Sequence, residues 1–124
     1  MKVSTPLGNA IGKYLDLTAD QMKLTAGNMA NIDTPGYKTQ GFDFDAAFAS
    51  ALADPTHHDG VAMNGTQVGV GEVDGLVARP DGNTVSLDRE AMQLAKSQLQ
   101  FRTGIALLKS EYSRVMSAIH ADAK

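Results

Sequence analysis

A chain of 124 residues carrying 11 basic and 14 acidic side chains, net charge −3, has room for one domain and not for two comfortable ones. So mild a charge, with neither sign gathered into a run, offers no footprint for nucleic acid or anionic lipid. The absence of Trp argues against a stacking platform, and the absence of Cys excludes disulfide and thiolate chemistry.

The opening Met1-Lys2-Val3-Ser4-Thr5-Pro6 lacks the apolar core of a secretory leader, and no apolar run approaches the length of a membrane span, so a soluble chain is expected. Ser4-Thr5-Pro6 then reads as a helix start, with Thr5 or Ser4 capping and Pro6 at the first helical position. Leu7, Ile11, Tyr14, Thr18, Met22, Thr25, Met29 and Ile32 follow at steps of four and three, which keeps one seam on one helical face to about Asn31. Gly8, Gly12 and Gly27 each weaken that helix by roughly 1 kcal/mol relative to Ala. Thr18 and Thr25 are small and semi-polar, which suits close approach of another helix. Asp33-Thr34-Pro35-Gly36-Tyr37 stops it, and Pro-Gly fits the two central positions of a type II turn.

Phe44, Phe48 and Leu52 lie at i, i+4 and i+8, so a short helix over about residues 43–52 is expected to fold its apolar edge back onto the long helices. From residue 53 to 75 the turn dipeptides Asp54-Pro55, Asp59-Gly60 and Asn64-Gly65 alternate with the period-two pairs Val61/Met63 and Val68/Val70, which suit short strands. Leu76-Val77-Ala78 and Thr84-Val85 around Arg79-Pro80-Asp81-Gly82-Asn83 read as a hairpin with a Pro-Asp-Gly tip. Ser86 caps a second long helix, and Asp88 and Glu90 put negative charge in its first turn, where the helix dipole favours it. Leu87, Ala91, Leu94, Gln98, Phe101, Ile105, Leu108, Tyr112, Val115 and Ile119 carry the 4-3 stripe to about Ala121, interrupted only by Gly104.

The fold class is therefore mainly α: two long terminal helices packed as a coiled-coil-like hairpin, with a loop-rich middle holding a short helix and short β-strands. Residues 1–33 form the N-terminal helix of the coiled-coil domain, 34–85 the loop/β-rich middle and 86–124 the C-terminal helix.

No catalytic constellation emerges. His57-His58-Asp59 is the one metal-capable cluster, but adjacent side chains on an extended strand point apart, and a solvated loop is the better reading. Gly65, Gly69, Gly71 and Gly75 match neither dinucleotide nor P-loop spacing. Asp43 and Asp45 look like exposed helix-start charges, and no Ser or Thr has a His with an acidic partner at a believable site. No cofactor and no metal are expected. The terminal stripes can zip against each other within one chain, yet Leu17, Leu24, Met92, Leu99, Leu107 and Met116 form a second apolar edge. That surplus points to helix contacts between subunits and to a monomer that is only marginally stable alone. The expected assembly residues are Ile11, Leu15, Met22, Met29, Leu94, Phe101, Ile105, Leu108, Tyr112, Val115 and Ile119.

Ala30-Asn31-Ile32-Asp33-Thr34-Pro35-Gly36-Tyr37-Lys38, closing the first helix, resembles the signature of bacterial flagellar rod and hook proteins. Asp81-Gly82-Asn83-Thr84-Val85-Ser86-Leu87-Asp88-Arg89-Glu90 resembles the run that opens the C-terminal helix in the proximal rod proteins, and within that group the short chain and the stretch from Leu99-Gln100-Phe101 to Leu107-Leu108 look most like one member. The family turn motif matches at Asn31, Thr34, Pro35, Gly36 and Tyr37. The resemblance implies a non-enzymatic subunit of the basal-body rod, whose terminal helices form a coiled-coil layer lining a hollow helical tube. It implies export through the flagellum's own type III secretion apparatus, without a cleaved leader, and assembly in the periplasm. The partners implied are further copies of the chain, the neighbouring rod protein FlgC, the adaptor FliE and the export-gate proteins, with no nucleic acid and no direct membrane insertion. FlgC itself and a soluble helical-hairpin adaptor that grips a partner's amphipathic helix are the alternatives. Residues 53–79 carry no family pattern.

Overall fold

A computed structural model describes residues 4–53 and 69–122. The first helix, α1 (Pro6–Ala30), begins where its cap dictates: Thr5 is extended, and its hydroxyl accepts from the Gly8 amide at 2.9 Å. At the other end the Asn31 side chain donates to the Gly27 carbonyl at 2.8 Å, a second bond to the carbonyl that the Asn31 backbone amide reaches at 3.2 Å. The chain then turns through Thr34-Pro35-Gly36-Tyr37. Tyr37 N donates to Thr34 O at 3.2 Å and Gly36 sits at φ 75°, the geometry of the expected type II turn.

A two-residue strand β1 (Gln40–Gly41) pairs antiparallel with β2 (Gly71–Glu72), Gln40 opposite Glu72 and Gly41 opposite Gly71. Between them lies α2 (Phe44–Ala53), whose Asp43 accepts from the Ala46 amide at 3.1 Å as an N-terminal cap. Phe44 and Phe48 meet Tyr14 of α1 edge-on, with ring centroids 5.4 and 5.6 Å apart, so the short helix folds back as its spacing indicates. Leu52 does not join them and stays exposed.

The hairpin expected over residues 76–85 is not a strand pair. Its turn exists: Gly82 N donates to Arg79 O, Arg79 N donates to Asn83 O, and Gly82 takes φ 85°. Beyond the turn the arms part, because Thr84 is claimed by the first signature. Thr84 N donates to Tyr37 O at 3.1 Å, and Thr39 N donates to the Thr84 hydroxyl at 2.8 Å. The strand that does form lies earlier, at Gly71–Glu72. The expected strand residues Val61, Met63 and Val68 lie outside the described residues.

The last helix, α3 (Leu87–Asp122), has 36 residues, about 54 Å. It runs antiparallel to α1: Thr5 meets Glu111, Leu15 meets Gly104, and Asn28 meets Glu90. Tyr112 and Val115 still border Gly8 and Asn9, and the helix beyond them runs past the described start of α1. The buried rows of α1 are Ile11/Thr18/Thr25 and Gln21/Asn28, and those of α3 are Glu90/Ser97/Gly104, each stepping by seven. The α3 seam is thus one position away from the apolar stripe read in the sequence. Gly104 does not interrupt the helix; it is buried against α1, where an added Cβ would stand 2.6 Å from Leu15 Cδ2. Among the described residues buried apolar side chains are few (Ile11, Leu17, Ala47, Val85), while Thr18, Gln21, Thr25, Asn28, Thr39, Asn83, Glu90 and Ser97 are buried and polar. Leu17 belongs to this interior, and not to a free second edge.

Candidate functional site

The two signature runs, some fifty positions apart in the chain, form one structural unit in space. At its centre Asn83 is fully buried. Its amide group donates to the carbonyls of Asn31, Ile32 and Thr34 at 2.9, 3.0 and 2.9 Å, while its oxygen accepts from Val85 N at 2.8 Å. The turn at the end of α1 is thus held by one side chain from the other signature. Gly36 N donates to Asp81 O at 2.8 Å, and a Cβ on Gly82 would stand 3.4 Å from Gly36 Cα, so the two positive-φ turns lie against each other. Lys38 Nζ donates to Gly82 O at 2.7 Å, and Arg79 reaches the Ile32 carbonyl.

Asn28 links this junction to the helices. Its amide donates to Gln40 O at 2.8 Å and to Glu90 Oε2 at 3.1 Å, and its oxygen accepts from Gln40 N at 2.9 Å and the Tyr37 hydroxyl at 3.0 Å. Glu90, in the first turn of α3 where the helix dipole favours its charge, is 1 % exposed and paired with Arg89 at 2.7 Å. A buried carboxylate needs such partners. Burial, and then the nearby Glu90 carboxylate, raise the Tyr37 phenol above its ordinary pKa of 10.0. The signal for Asn28 and Glu90 was present in the sequence only as polar residues at seam-like positions. An open cleft of about 370 Å³ lies beside the junction, with Gln21, Gln40, Arg89 and Gln93 among its walls.

At the far end the Thr5 hydroxyl donates to Glu111 Oε1 at 2.8 Å, so a carboxylate from α3 sits at the amino end of α1, where the helix dipole favours it.

The second feature is a bare face. Gln21 of α1 and Arg89 and Gln93 of α3 border the insert's cleft, and Tyr14 carries α2, so β1, β2 and α2 all cover one side of the helix pair. By helical periodicity the opposite flank of α1 presents Met22 and Met29, with Gly12, Ala19 and Ala26 beyond them. The same flank of α3 presents Leu94, Phe101, Leu108 and Val115, then Ile105, Tyr112 and Ile119. Nine of the eleven expected assembly residues lie there, half-buried or exposed; Ile11 is buried between the helices, and Leu15 packs on Gly104 in the contact between them. Tyr112 is 56 % exposed, and Ile119 is also exposed.

Among the described residues no group of three His, Asp or Glu side chains could hold a metal ion, and no helix is long and apolar enough to cross a membrane. His57 and His58 lie outside the described residues.

The described part of the chain is thus a long helix pair with a polar clasp at each end and a small insert on one side, and the relatives say to which class of protein it belongs. The chain is 32 % identical over 119 residues to the flagellar basal body rod protein FlgB of Salmonella typhimurium, covering 85 % of this chain and 86 % of that one. It is 33 % identical over 114 residues to the FlgB of Cereibacter sphaeroides (87 % and 89 % covered), and 27 % identical over 125 residues to that of Escherichia coli K12 (86 % and 88 %). No family model matches the chain. The chain belongs to the FlgB family of flagellar basal body rod proteins.

Proposed function

We propose that this protein is a structural subunit of the proximal rod, self-assembling through its terminal helices into a hollow helical shaft that transmits torque and passes exported subunits. The observation that carries the reading is the uncovered flank of the helix pair, where Met22, Met29, Leu94, Phe101, Ile105, Leu108, Tyr112, Val115 and Ile119 share one side. A tube grows by heterologous contacts that do not close on themselves, so each subunit must keep apolar surface open until a neighbour arrives. FlgC, FliE and the export-gate proteins are the neighbours at its ends. The subunit travels through the type III export apparatus without a cleaved leader and assembles in the periplasm. A core with few buried apolar side chains opens readily for that passage.

Placing a charge on the flank tests this. Ile105→Asp, and the more exposed Tyr112→Asp, each put an unpaired carboxylate into the contact. Both variants are expected to be secreted and to leave a strain lacking the native protein non-motile. Normal swimming by both excludes the flank as the assembly surface. A soluble adaptor would instead be a stable monomer, retained in the cell, whose loss leaves swimming intact.

A further inference from the structure

The overall charge of −3 conceals a division by element. Residues 39–78 contain Asp43, Asp45, Asp54, Asp59, Glu72 and Asp74 and no Lys or Arg, whereas residues 91–110 of α3 contain Lys96, Arg102 and Lys109 and no Asp or Glu. Among the described residues these opposite charges do not meet inside the subunit. The short helix α2 packs on α1 and has no contact with α3, and Lys96, Arg102 and Lys109 make no ion pair among the described residues.

The three basic side chains edge an apolar ridge on the side of α3 turned away from α1. Met92 is 74 % exposed and Leu99 67 %, one heptad apart, with Lys96 along one margin and Arg102 and Lys109 along the other. The outer face of α2 has the complementary character. Asp45, Ala49 and Leu52 follow at i, i+4 and i+7, all exposed, with Asp43 exposed at the helix start.

We infer that the back of α3 is a docking surface for a second copy of this chain, which lays the outer face of its α2 along the Met92–Leu99 ridge. The carboxylates of Asp43 and Asp45 meet the basic margins, and Ala49 and Leu52 meet the ridge. Charge complementarity between two different faces of one sequence steers the encounter and fixes its register. Because the two faces differ, the contact is heterologous and each bound copy leaves both kinds of face free at the ends of the array. The inference rests on the rod reading and extends it, since this surface is separate from the flank carrying Ile105 and Tyr112.

The test is a charge exchange in a strain lacking the native protein, with swimming as the readout and secretion measured alongside. K96E/R102E/K109E and D43K/D45K are each expected to be secreted and to abolish swimming. The chain combining all five substitutions is expected to recover it, because attraction between the faces is restored with reversed sign. The natural absence of Cys allows a second measurement on isolated basal bodies. Leu52→Cys together with Leu99→Cys should give subunit–subunit disulfides on oxidation, while Leu99→Cys alone should give none. Swimming by the triple variant, no recovery in the combined chain despite its secretion, or dimers through Leu99→Cys alone overturns the inference while leaving the rod reading in place. Loss of binding to anionic phosphatidylglycerol vesicles in K96E/R102E/K109E, with D43K/D45K swimming normally, makes the basic face a lipid site and equally overturns it. A strain without the protein that still swims overturns the rod reading itself, and this inference with it.

Discussion

Asn28 and Asn83 each use their amide in full, and between them they convert two turns and two helix ends into a single junction. Tyr37 is the member whose protonation can be read. Its hydroxyl donates to Asn28, and its pKa is raised by burial and then by Glu90, so folding is favoured by the neutral phenol. A group whose folded pKa lies above its unfolded value contributes stability below the unfolded pKa, here 10.0, and loses it as pH rises through the folded value. Tyr37→Phe is therefore expected to cost about 1 kcal/mol near neutral pH, the worth of one hydrogen bond. The gap between wild type and variant should close as denaturation is repeated from about pH 8 to about pH 11, because the wild-type phenolate loses its bond and faces Glu90. A constant gap removes Tyr37 from the junction. Sequence reading placed the Pro35-Gly36 turn correctly, since the rule is local. It could not see that Asn83 clamps that turn or that Glu90 is buried beneath it, because neither partner is near in sequence.

The bounds of α1, α2 and α3 were legible to within a residue or two, because caps, Pro and periodicity act over one turn of helix. The strand pair was not, since two-residue strands carry almost no pattern and take their partners from the loop beyond α2. The seam was half legible: the helices are paired, but their contact runs along Ser97 and Gly104 and leaves much of the apolar stripe on the flank. Sequence reading treated Gly104 as a defect, and the structure makes it a requirement. Gly104→Ala gains about 1 kcal/mol of helix propensity. Against that, its Cβ stands 2.6 Å from Leu15 Cδ2 and 3.2 Å from Leu15 Cγ, and rotating the outer bond of Leu15 relieves only the first contact. Overpacking costs about 1–3 kcal/mol, so the net change is expected to be a loss. With Leu15→Ala already present the obstruction is gone, and adding Gly104→Ala should become stabilising. Thermal melts of the two single variants and the double variant measure that change of sign. A stabilising Gly104→Ala in the wild-type background means that the helices do not touch there.

At the scale of the whole molecule the charges separate as the apolar surface does, with acid on the insert and base along the back of α3, which an overall composition averages away. Both divisions suit the proposed rod subunit, whose neighbours would cover what it leaves open. The helix pair is clasped at Asn28–Glu90 and Thr5–Glu111; Tyr112 and Val115 still border Gly8 and Asn9, and beyond them α3 continues to Asp122 past the described start of α1. A lone helix of that length is marginal in water, since most helical stability in proteins comes from packing one face. Hydrogen exchange on a dilute, secreted sample should therefore show a gradient. Amides between the clasps, residues 11–28 and 90–108, are expected to be protected together, and those from about residue 115 onward should exchange nearly as fast as an open chain. In assembled basal bodies the same terminal amides should become protected, because neighbouring subunits then supply the face that α1 does not reach. Equal protection of residues 115–122 in the dilute and assembled states indicates that the C-terminal helix needs no company, and assembly through it must then be abandoned.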